Sequence, residues 1–158
     1  MRNGSSNRLL LAAAVAPPDI CFDVIDIEAI PLYNQDIDTD DPPQSVRRLR
    51  DGIRRADALL IATPEYNFSM SGVTKNVIDW ASRPPDDSCL EGEPLAIMGA
   101  SQGGFGTVRA QLHLRDSAIF NSMLTLNDPL VHVSAAQHKF DQDGRLTDEK
   151  ARGRSRRC

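Results

Sequence analysis

The chain has 158 residues and a mass of 17.4 kDa, the size of one domain with room for a buried core. Its formal charge of -4 and pI near 5.3 argue against a general nucleic-acid or membrane surface, and no apolar run approaches the length of a membrane span. Cys21, Cys89 and Cys158 are odd in number and lack CxxC spacing, which fits a reducing cytoplasm. His113, His132 and His138 lack ligand spacing as well, so no metal site is expected.

In chain order, Arg2 to Arg8 is a polar loop directly before Leu9 to Val15, an alanine-rich apolar stretch. That stretch reads as a buried helix, capped by Ser5, Ser6 or Asn7 and stopped by Pro17 and Pro18. It is too short and wrongly flanked for a signal peptide. Ile20, Phe22 and Val24 alternate with polar or small residues and run into Ile25 and Ile27, a pattern of strand type. Pro31 to Pro43 is an acidic loop, and Val46, Leu49 and Ile53 recur at helical spacing within Ser45 to Ala56. Ala58 to Thr63 is an apolar run of strand length that empties into Pro64, Glu65, Tyr66 and Asn67. A helical pattern follows from Ser71 to Arg83. A second such run, Pro94 to Ala100, empties into Ser101-Gln-Gly-Gly-Phe-Gly106, followed by a helix from about Thr107 to Phe120. Leu130 to Val133 is a last short strand.

Strands alternate with helices, which indicates a parallel sheet with helices on both faces. No repeat or linker divides residues 1–146, which read as a single domain. Thr147 looks like a helix cap. Beyond it, Arg152 to Arg157 has no apolar periodicity, and 147–158 is expected to be an irregular, solvated basic tail.

In an open α/β sheet, ligands bind outside the carboxyl ends of the strands, where two of these polar loops sit. The first loop suits a phosphate, because N–H groups at a helix N-terminus carry partial positive charge. Ser5, Ser6 and Asn7 add donors, and Arg2 adds a charge-assisted fork. No Gly-Lys-Ser/Thr closes the loop and no GxGxxG is present, so neither a Walker loop nor a dinucleotide site is indicated. The other two loops suit a flavin ring. Gly103, Gly104 and Gly106 would let the main chain approach the ring edge that becomes negative on reduction. Asn67 and the backbone around Glu65 could bond the opposite edge. The plainer alternatives are a left-handed glycine turn and a solvent-facing Glu65 carboxylate. No Ser-His-Asp or Cys-His arrangement arises from adjacent motifs.

With these motifs in hand, the chain resembles the NAD(P)H-dependent FMN reductase family, the flavodoxin-like group with quinone and chromate reductases. The likeness is carried by Arg2 to Leu10, by Pro64 to Asn67 continuing through Gly72 to Trp80, and by Gly99 to Gly106 with Arg109, Leu114 and Arg115. It implies a doubly wound parallel sheet of order 2-1-3-4-5. It implies FMN held at its phosphate by Arg2, Ser5 and Asn7. Pro64, Glu65, Tyr66 and Asn67 would hold one side of the ring, with Ser101, Gln102, Gly103 and Gly104 on the other. Hydride would come from NADPH or NADH and pass to a quinone-like small-molecule acceptor, with no nucleic-acid or membrane partner. The resemblance further implies a homodimer or homotetramer, with Arg109, Gln111 and Arg115 as interface members. Trp80 and Phe105 would be packing or interface groups.

Two features depart from the family pattern. Its first strand, ending in Gly-Ser, has no counterpart before Arg2, and most of the closing helix after Asp148 and Glu149 is missing. A sheet without that strand is expected to be marginally stable or dependent on oligomer contacts. The alternative readings are a flavodoxin-like FMN electron carrier and a truncated, non-catalytic remnant. Arg2 weighs against the carrier, whose usual phosphate loop lacks such an arginine.

Overall fold

Strand β4 is apolar along nearly its whole length because it is covered on both faces, and that burial organises the molecule. The computed structural model describes residues 4–14 and 20–155. Its elements are α1 (Ser6–Ala14), α2 (Gln44–Arg55), β1 (Leu59–Ala62), β2 (Glu65–Tyr66), β3 (Ser69–Met70), α3 (Gly72–Ala81), β4 (Pro94–Ala100), α4 (Val108–Phe120), β5 (Leu124–Thr125), β6 (Val131–Val133) and α5 (Glu149–Ser155). β1 pairs with β4 in parallel, from Leu59 opposite Leu95 to Ala62 opposite Met98. On its other side β4 takes β5 at its start and β6 at its end, both parallel.

Side chains alternate across a strand, so each strand feeds two cores. Leu95 and Ile97 of β4 join Val46, Leu49 and Ile53 of α2, Ile78 and Trp80 of α3, and Leu114 and Ala118 of α4. Met98 and Ala100 point the other way, to Leu10 and Ala14 of α1, Val131 and Val133 of β6, and Leu146. Helices therefore cover both faces of a parallel sheet, as the alternation of elements predicts. The acidic loop is tied down rather than solvated throughout. Asp38 pairs with Arg50 at 2.8 Å, both nearly buried, and Arg50 Nε also donates to the Trp80 carbonyl.

Three expectations are corrected. Residues 20–27 form no ladder, and Ile20 and Val24 are exposed. In the order 2-1-3-4-5 the second strand pairs only with the first, and among the described residues no strand lies on the open side of β1. Residues 64–70 are not a simple strand-to-helix turn but a β2–β3 hairpin, with Tyr66 opposite Ser69. Its two loop residues, Asn67 and Phe68, have φ of 49° and 64°, the double positive φ of a type I′ turn. Finally, the basic segment after Thr147 is not irregular, since α5 lies against α1 and β6 with Ser155 buried. The small side chains of Ala151 and Ser155 permit that docking without an apolar stripe. Its cap is Asp148, whose Oδ1 accepts from the Ala151 N–H at 2.8 Å. Thr147 instead donates its hydroxyl to the Lys139 carbonyl. The helix stop at Pro17 and Pro18 and the last three residues, 156–158, lie outside the described residues.

Asp148 also pairs with Lys139, and these two hydrogen bonds hold its carboxyl below the usual carboxylate range. A depressed folded-state pKa contributes stability that is present above the unfolded value, about 3.9, and lost as pH falls through the folded one. Asp148→Asn should therefore lower the urea midpoint at neutral pH, and its gap to the wild type should close in acid. A gap that persists unchanged at low pH would show that Asp148 does not act through its charge.

Candidate functional site

β4 ends at Ala100, and its last rung on the β1 side has no strand beside it, because that ladder closes with the Thr63 N–H on the Met98 carbonyl. Asn7 fills the gap. Its Nδ2 donates to the Ala100 carbonyl at 3.1 Å, and its Oδ1 accepts from the Ala100 N–H at 2.8 Å. This buried pair pins the start of α1, and with it the first polar loop, to the carboxyl end of the central strand. A second brace joins the other two loops. Helix α4 begins after Thr107, a buried residue at φ 69° that offers no side-chain cap. Glu65 reaches across from β2 instead, its Oε2 accepting from the N–H groups of Arg109 at 2.9 Å and Ala110 at 3.4 Å. A carboxylate suits the positive end of a helix, so the brace is favourable in charge as well as geometry. The glycine loop is moored in turn to the end of β6 and the segment after it, by the Ser101 N–H on the Val133 carbonyl and the Ala135 N–H on the Gly103 carbonyl. All three loops thus meet at one edge of the sheet.

Of the residues expected to hold a ligand, Arg2 lies outside the described residues. Ser5 caps α1, its Oγ accepting weakly from the Arg8 N–H at 3.4 Å. Asn7 is buried and its amide is engaged by Ala100, so its side chain anchors the loop rather than projecting from it. The Glu65 carboxylate is likewise turned inward onto α4, which overturns the solvent-facing alternative. Pro64 is half-buried, whereas Tyr66 and Asn67 are exposed on the hairpin. Ser101 is half-buried, and Gln102, Gly103 and Gly104 are exposed.

The glycines divide differently from expectation. Positive φ in this loop belongs to Gly106, at 57°, not to Gly103 or Gly104. A Cβ on Gly104 would meet nothing within 4 Å, and one on Gly103 only Ser101 Oγ at 3.9 Å. Gln111 is corrected too, being 1% exposed inside the protomer, where it donates to Thr107 Oγ1 and the Val131 carbonyl. It is no interface residue. Trp80 is a packing group, fully buried, with its indole N–H on the Pro31 carbonyl. The sequence reading missed the bracing roles of Asn7 and Glu65. The bare polar residue at the start of an apolar helix was the only local signal for the first, and nothing local signalled the second. One surface hollow lies between β6 and α5 and is bordered by Val133 and Ser134, beside the mooring of the glycine loop, and another lies over the start of α3.

Comparison with known proteins decides the family. Residues 1–138 match the model of the NADPH-dependent FMN reductases. The chain belongs to that family. It is 53% identical to an NAD(P)H-dependent FMN reductase of Pseudomonas aeruginosa, over 96% of this chain and 83% of that protein. It is 42% identical to a 2-hydroxy-1,4-benzoquinone reductase of a Burkholderia species, over 96% of this chain and 84% of that one. Among solved structures, FerB of Paracoccus denitrificans, a flavoenzyme NAD(P)H:(acceptor) oxidoreductase, superposes with a TM-score of 0.86 at 34% identity, covering 98% of this chain and 88% of that one. The flavodoxin-like architecture expected from the sequence is thus borne out. The family's cofactor, FMN, fits the donor set here. The main chain at Gly103 and Gly104 is exposed and unobstructed, and the two braces already satisfy the buried polar groups that hold the loops in place.

Proposed function

We propose that this chain is an FMN-dependent oxidoreductase that uses NAD(P)H to reduce quinone-like small molecules. The observation that carries the reading is the convergence of three polar loops at the carboxyl edge of the sheet, locked by Asn7 on Ala100 and by Glu65 on α4. Bound FMN supplies the redox chemistry, accepting hydride from the nicotinamide and giving up electrons to the acceptor. The protein's part is to bind and orient. Arg2 and Ser5, with the N–H groups opening α1, would hold the phosphate. Pro64, Glu65, Tyr66 and Asn67 would bound one side of the ring through the hairpin backbone. Ser101, Gln102, Gly103 and Gly104 would present main-chain donors to the other. No conventional acid or base is needed, because positioned dipoles stabilise the charge that reduction creates. The quinone class rests on the relatives that reduce quinones. A cytoplasmic location is supported by the unpaired Cys21 and Cys89. A homodimer or homotetramer is supported by the exposed Leu112, Ile119 and Phe120 on α4.

Anaerobic addition of NADPH or NADH to the FMN-loaded protein tests the reading. Flavin absorbance should bleach with either nucleotide alone and return when a quinone is added. A flavin that binds but stays oxidised until a separate reductase is supplied would make the chain a carrier instead. Gly104→Val tests the ring loop separately. It should leave the free energy of unfolding within about 0.5 kcal/mol of wild type, as for a surface change. It should nevertheless weaken both FMN and riboflavin, because the new side chain fills space where the structure is open. Unchanged flavin affinity would remove this loop from the site.

A further inference from the structure

Arg109 is held from three directions. Its backbone N–H donates to Glu65 Oε2 at 2.9 Å, and its guanidinium stands 3.8 Å from Glu65 Oε1. The guanidinium carbon also lies 4.0 Å from the centroid of the Phe68 ring and 4.5 Å from that of Phe105. These rings do not belong to a core, for they are 64% and 63% exposed. Phe68 is at the hairpin tip, with a φ of 64° that bulky residues rarely adopt. The type I′ turn calls for that φ, and the Arg109 stack gives the ring at this position a fixed partner. Phe105 belongs to the glycine loop. One side chain therefore ties the tip of the second loop to the far end of the third, while Glu65 ties the base of the hairpin to the start of α4.

We propose that Arg109 is the positioning residue of the ring site, setting the spacing between the hairpin tip and the glycine loop through its stack with Phe68 and Phe105. The inference rests on the FMN reading above. A guanidinium is planar and can lie against two rings at once, whereas an ammonium is a compact point charge. Arg109→Lys keeps the charge near Glu65 and loses the two-sided stack, so it should not rescue what removal of the arginine destroys.

The test measures dissociation constants for FMN and riboflavin by flavin fluorescence in Arg109→Lys, Phe105→Leu and the double variant. Each single change should weaken both flavins equally, by about tenfold, and the double variant should add little, because both changes break one stack. Amide hydrogen exchange across residues 66–69 of the ligand-free protein should also quicken in both single variants. Phe105→Leu alters an exposed ring and carries the test if Arg109→Lys fails to fold. Unchanged affinity with unchanged exchange, additive losses, or a loss confined to FMN would each overturn the proposal. If the wild type binds neither flavin, the functional reading falls, and the hairpin exchange still decides whether Arg109 sets the loop.

Discussion

Asn7→Ala should lower the free energy of unfolding by about 3 kcal/mol, since it removes two hydrogen bonds and leaves a buried N–H and a buried carbonyl unpaired, at roughly 1–3 kcal/mol each. The groups left behind belong to Ala100, which is 3% exposed, at the point where the ladder between β1 and β4 has already ended. Water has poor access there. FMN affinity should fall together with stability, because the first loop would no longer be fixed to the end of β4. Asn7→Asp makes a sharper comparison. It retains an acceptor for the Ala100 N–H but sets a carboxylate against the Ala100 carbonyl, and should be no better than alanine. Urea midpoints and FMN dissociation constants measure both effects. An alanine variant within about 0.5 kcal/mol of wild type, on the scale of an ordinary surface change, would mean that the Asn7 rung is not what holds the loop.

Gly99→Ala should cost about as much, roughly 3 kcal/mol, at the upper end of what overpacking exacts. A Cβ there would fall 1.9 Å from Thr107 Oγ1 and 2.6 Å from the Thr63 carbonyl, so backbone must move. Thr107 cannot yield easily. It sits fully buried at φ 69°, and its Oγ1 accepts from Gln111 Nε2. Displacing it would shift the start of α4, and through Glu65 the hairpin. Pairing Gly99→Ala with Thr107→Gly should recover only part of the loss, because the clash with the Thr63 carbonyl remains. Full recovery, or a single variant as stable as wild type, would contradict the close approach of the ends of β1, β4 and α4. Set beside Gly104→Val, the pair separates two kinds of glycine in one motif. Gly99 is required by the protein's own packing, whereas Gly104 faces open space.

Much of the fold was legible because it is written in short-range pattern. The apolar runs of β1 and β4, the helical spacing of Val46, Leu49 and Ile53, and the helical pattern from Ser71 all follow from neighbours in sequence. The failures have separate causes. Residues 20–27 alternate as a strand should, but a strand exists only where another strand offers it a ladder. The hairpin at 65–70 went unread because its turn uses Asn67 and Phe68 rather than the usual Asn-Gly or Asp-Gly. α5 went unread because it docks through small residues, not through an apolar stripe.

By itself, the sequence determined the alternation of strands and helices, the presence of three polar loops and their resemblance to a flavin-binding family, since periodicity and motif are local properties of a chain. Only the tertiary structure decided what the polar side chains in those loops do. Asn7 meets its partner 93 positions away and Glu65 meets its own 44 positions away. A side chain's composition says that it can make a hydrogen bond, but packing chooses the partner. Here packing gave the Asn7 and Glu65 side chains partners within the protein, and those contacts bring the loops together.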